Sequence, residues 1–98
     1  MNAIEHLIET LRFAAKAPRS EWTKFVSGLD TAPRVTIGDG GICAMQLANA
    51  ARALLRQMLH AHALNEGCLR VLALHFSDAL QIEMNNHAPQ PLYYIEKD

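Results

Sequence analysis

No apolar run in this 98-residue chain approaches the roughly eighteen residues that a membrane-spanning helix needs. An excess of charge of either sign is missing too. Nine Lys and Arg against ten Asp and Glu leave a formal net charge of −1, so no long-range field gathers nucleic acid or anionic lipid. The first residues carry Glu5, Glu9, Arg12 and Lys16 where a secretory leader would place a basic stretch and then an apolar one. The expected location is therefore the cytoplasm. Internal repeats and low-complexity segments are absent. Cysteine is scarce, at two residues, and so are the aromatics, at 6%.

The composition suits one globular domain spanning 1–98: half the residues are apolar, enough for a single modest core. A surface this close to neutrality offers little protection against self-association. Fifteen alanines, and six Arg to three Lys, fit a GC-rich bacterial or phage genome.

The apolar periodicity predicts a mainly α fold of four helices. Asn2 is placed to cap a first helix over 3–16, with Ile4, Leu7, Ile8, Leu11, Ala14 and Ala15 on one face and Pro18 beyond its end. Phe13 projects from the polar side of that helix. Ser20 is the expected cap of a short second helix carrying Trp22, Phe25, Val26 and Leu29, and Gly28 suits a left-handed closing residue. A third helix is expected over 42–64, with Leu47, Ala51, Leu54, Leu55, Met58 and Leu59 inward and Gln46, Asn49, Arg52, Arg56, Gln57 and His60 outward. After a break at Asn65-Glu66-Gly67, a fourth helix over 67–87 makes a long antiparallel hairpin with the third. Arg34-Val35-Thr36-Ile37 and Leu92-Tyr93-Tyr94-Ile95 have strand character, which predicts a minor two-stranded β element pairing 34–37 with 92–95.

The fourth helix carries two apolar rows. Cys68, Val71, Leu72, Phe76, Ala79 and Ile82 form its main face, while Arg70, Leu74, Ser77, Gln81 and Met84 form a second row at spacings of four and three. Burial on two sides is therefore expected, against helix 3 on one and against helix 1 or another copy of the chain on the other.

Motifs that carry chemistry are weak. Gly38-Asp39-Gly40-Gly41 lacks the Lys and Ser or Thr of a phosphate-binding loop, because Ile42-Cys43-Ala44 follows it, and is read as a turn. His62, Cys68 and His75 share the apolar side of the predicted hairpin but want a fourth ligand and the close-spaced pairs of structural zinc. His60 and His62, two apart on a helix, point in different directions. Nothing orients a base or builds an oxyanion site beside either thiol, so no catalytic residue, metal or cofactor is expected. Helices of about twenty residues docked as a hairpin, with few Lys and Arg, argue against a helix-turn-helix reader and against nucleic acid as a partner.

The expectation is a non-catalytic protein-binding module: a small inhibitor, adaptor or regulator that occludes a surface of a larger protein. Its contact candidates are Phe13, Arg70, Leu74, Gln81 and Met84. The alternatives are a homo-oligomeric structural subunit associating through helix 4 and a small metal-dependent or Cys/His-based switch or enzyme using His62, Cys68 and His75. Cys43 and Cys68 start successive helices of an antiparallel hairpin, which separates them by about 30 Å, far beyond the roughly 7 Å that a disulfide spans between Cα atoms. Both thiols should thus alkylate in denaturant without prior reduction, and an intramolecular Cys43–Cys68 bond in peptide mass spectrometry would exclude the hairpin.

Overall fold

The computed structural model describes residues 2–60 and 62–86. It is mainly helical: α1 spans Ala3–Lys16, α2 Trp22–Leu29, α3 Ile37–Met58 and α4 Glu66–Asn86, with 3-10 turns at Arg19–Glu21 and Ala63–Asn65. Among the described residues there is no strand. Residues 33–36 are irregular and Ile37 already opens α3, while 92–95 lie outside the described residues. Among the described residues no helix is long and apolar enough to cross a membrane.

Helix α1 forms as its sequence dictates. The Asn2 side chain accepts a hydrogen bond from the Glu5 amide at 2.8 Å, and Ile4, Leu7, Ile8, Leu11 and Ala14 are buried. Helix α2 departs from expectation at both ends. Residues 19–21 form a 3-10 turn, so α2 starts at Trp22 with no side-chain cap. Gly28 lies inside α2, and the only left-handed residue among those described is Gly41.

At Gly41, φ 89° and ψ 174° kink α3 between a short first turn and the regular helix that follows, a conformation that suits glycine. The Gly-rich run is therefore a helical turn and not a loop. Asp39 closes it from within, its carboxylate accepting from the Thr36 amide at 2.7 Å and the Thr36 hydroxyl at 3.0 Å. Beside the kink, a Cβ on Gly40 would stand 2.6 Å from the Ile4 side chain. The missing side chain is what lets α1 approach α3 there.

Helix α3 ends at Met58, earlier than the periodicity suggests, and Leu59 is partly exposed. Its buried seam is Ala44, Ala48, Ala51, Leu55 and Met58, at alternating spacings of four and three. Arg52, expected outward, is buried as well. Helix α4 packs against both α1 and α3. Its buried residues are Ala73, Ser77 and Leu80, with Leu69, Phe76 and Met84 packed partly against them. Of the second row only Ser77 is buried and Leu74 is 39% exposed, the core being met by Ala73 and Leu80 of neither row, while most of the main face points outward: Val71, Leu72 and Ile82 are 52%, 40% and 58% exposed. The Ser77 hydroxyl donates to the Leu74 carbonyl at 2.7 Å, so its burial leaves no unpaired donor.

The last carbonyls of α1 have no partner within their own helix. Two side chains from elsewhere serve them. Trp22, buried, donates from Nε1 to the Ala14 oxygen at 3.1 Å. Arg70 Nη1 lies 3.3, 3.1 and 2.7 Å from the oxygens of Ala14, Ala15 and Ala17, its guanidinium stacks 4.8 Å from the Trp22 ring centre, and Nε meets Glu66 at 3.6 Å. A cation at a helix C-terminus also complements the helix dipole. Arg70→Met should therefore lower stability by about 2 kcal/mol, on the order of 10 °C in melting temperature. Arg70→Lys should recover less than half of this, lacking the planar fork. Melting followed by circular dichroism checks both, and an Arg70→Met protein melting with the parent would show that solvent serves these carbonyls equally well.

Candidate functional site

The five contact candidates do not form one patch. Phe13 stands on the solvent side of α1, 51% exposed, with its ring held edge-on to Phe25 of α2 at a centroid distance of 5.4 Å and an interplanar angle of 83°. The two rings line a groove of about 420 Å³ together with His6, Glu9, Thr10, Glu21 and Lys24. Lys24 is paired with Glu21 at 3.0 Å, which leaves Glu9 as the unpaired acid of the groove among the described residues.

The other four candidates lie on α4. Arg70 is engaged with the end of α1 and with Trp22. Met84 packs partly against the core. Gln81 donates from Nε2 to Asn85 at 3.1 Å and borders a small depression with Glu5, Ile8, Glu9 and Arg12. Leu74 is 39% exposed. Of these four, Met84 alone packs against the core.

The residues considered for metal are placed differently from expectation. Because α3 stops at Met58, His60 and His62 do not share a helix, and both line a depression of about 500 Å³ with Gln57, Asn65, Cys68 and Leu69. His75 is not part of that lining. Among the described residues no group of three or more His, Cys, Asp or Glu is placed to hold one ion. Cys43 and Cys68 are both free and exposed.

A second arginine also works inside the fold. Arg52 Nη2 donates to the Leu29 carbonyl, the last residue of α2, while its buried Nε–H lacks a partner among the described residues. Burial, and then the neighbouring Arg34 and Arg56 charges, pull the Arg52 pKa below the ordinary guanidinium value, with Asp30 acting against them. Arg56 pairs with Asp30 on the surface, an interaction worth little in water.

Sequence reasoning missed one surface, the outer side of α4. Cys68, Val71, His75, Asp78, Ile82 and Asn85 recur at alternating spacings of three and four, and every one is exposed. Its signal in the sequence is the apolar row of the main face, which periodicity alone directs to the core. Compared with protein-family models, curated proteins and solved structures, the chain matches none.

The depression at the α3–α4 junction supplies a direct test of metal dependence. A chelator should leave the melting temperature unchanged. A structural zinc contributes on the order of 10 kcal/mol to folding, so a drop of tens of degrees would favour the metal-dependent alternative.

Proposed function

We propose that the protein is a non-catalytic binding module, an inhibitor, adaptor or regulator that covers a surface of a larger protein through the Phe13–Phe25 groove. The observation that carries this reading is Phe13. A half-exposed aromatic ring loses hydration favourably on burial, and its edge-on contact with Phe25 holds it in place before a partner arrives. Rigid aromatic anchors of this kind concentrate interface energy. With Lys24 neutralised by Glu21 and Glu9 free, the groove suits a partner that presents an apolar side chain beside a basic one. The setting is cytoplasmic, and α3 and α4 stand as an antiparallel hairpin behind α1, consistent with their mutual contact and short connection.

A second reading, a subunit that associates with itself through α4, is favoured by the exposed Val71, Leu72 and Ile82. Both readings can hold at once, since the groove and the α4 row use different residues.

The test of the first reading is affinity purification from the native host, run in parallel with the parent chain and with Phe13→Glu. A stoichiometric larger protein should be retained by the parent and lost by the variant. The expected loss in affinity corresponds to about 2 kcal/mol or more, roughly thirtyfold, with the variant still folded and melting only about 10 °C or less below the parent for the lost Phe13–Phe25 contact. Retention of the same partner by a folded Phe13→Glu protein would remove the groove from consideration.

A further inference from the structure

Helix α4 is built as two heptad stripes back to back. The inner one passes through Ala73, Ser77, Leu80 and Met84 and faces α1 and α3. The outer one, Cys68, Val71, His75, Asp78, Ile82 and Asn85, has the same alternation of three and four residues and no cover among the described residues. Alternation of this kind is what a second helix meets when it lies along the first.

The outer stripe also reads the same way in both directions. Reversing it about the midpoint between Phe76 and Ser77 exchanges Val71 with Ile82, His75 with Asp78 and Cys68 with Asn85. Apolar positions thus map onto apolar ones, and a group that can carry positive charge maps onto a carboxylate. Self-complementarity of this form is the requirement for a two-fold interface, in which each residue meets the position that maps onto it.

We propose that the outer face of α4 binds a second copy of this chain, helix against antiparallel helix, about a two-fold axis between Phe76 and Ser77. Val71 of one protomer packs against the partner's Ile82, and His75 meets the partner's Asp78, each pair occurring twice. Leu72 flanks the seam and adds apolar area. The central polar pair sets the direction: a parallel arrangement would place Asp78 against its own counterpart, a like-charge contact that disfavours that orientation. A net charge of −1 leaves no strong overall repulsion between copies. The inference rests on the second reading above and is independent of what the Phe13 groove binds.

Light scattering on the full chain should report two chains per particle. Ile82→Glu should report one, with circular dichroism unchanged because the substituted side chain is already exposed. The register has its own test in Asn85→Cys under mild oxidation. Peptide mass spectrometry should find Cys68 of one protomer linked to position 85 of its partner. Within one chain these positions are seventeen residues apart on a rigid helix, about 25 Å, and cannot join. A monomeric parent overturns both the self-association reading and this inference, whether a different protein or the chain's own residues 87–98 cover the stripe. A dimer that links Cys68 to Cys68, or one that Ile82→Glu leaves intact, overturns the antiparallel pairing while self-association stands.

Discussion

The carbonyl end of α1 governs the arrangement of the other helices. A helix terminus leaves several backbone oxygens without partners, and near a core these must be served. Trp22 reaches them from α2 and Arg70 from α4, so one set of acceptors fixes the approach of two elements. The consequence for α4 is rotational. Arg70 can reach α1 only if the stripe containing Ala73, Ser77 and Leu80 faces inward, and that setting turns Val71, Leu72 and Ile82 outward. Large apolar side chains are thereby left on the side of α4 turned away from the core.

The same device recurs at α2, whose last carbonyl, that of Leu29, is taken by the Arg52 guanidinium from α3. Two arginines therefore act as cross-element caps, where local caps of the glycine type would otherwise be expected. The alanines of the α3 seam, Ala44, Ala48 and Ala51, belong to the same economy of space. They bury little area individually but bring backbones close. The larger side chains Trp22, Leu55, Met58 and Leu80 supply much of the buried volume, and losing any one costs a few kcal/mol against a small total.

Periodicity made α1 legible to the residue, since its apolar and polar faces are cleanly separated and its ends carry an Asn cap and a following proline. The regular part of α3 and the extent of α4 were legible for the same reason. The phase of α4 was not, because a hydrophobicity pattern ranks Val71, Leu72 and Ile82 above Ala73 and Ser77 and cannot register that small residues permit close approach. The periodicity places Arg52 outward and Arg70 in a contact row without naming what either binds, because their acceptors lie more than twenty and more than fifty residues away in sequence. Of the candidate site, Phe13 could be found as an aromatic on a polar face. Its partner Phe25 could not, because the pairing depends on how the 3-10 turn at Arg19–Glu21 brings α2 back toward α1.

The distance along the chain between α1 and its completing residue also orders events during synthesis. Helix α1 is synthesised before α4, with Ile4, Leu7, Ile8 and Leu11 on one face, yet α4 is its main neighbour among the described helices. The contact between Arg70 and Ala14 closes a span of 56 residues, and such long closures are made late. Throughout that interval α1 is an amphipathic helix with an uncovered face, the kind of surface that chaperones hold. During synthesis α1 is thus exposed until α4 follows and covers it.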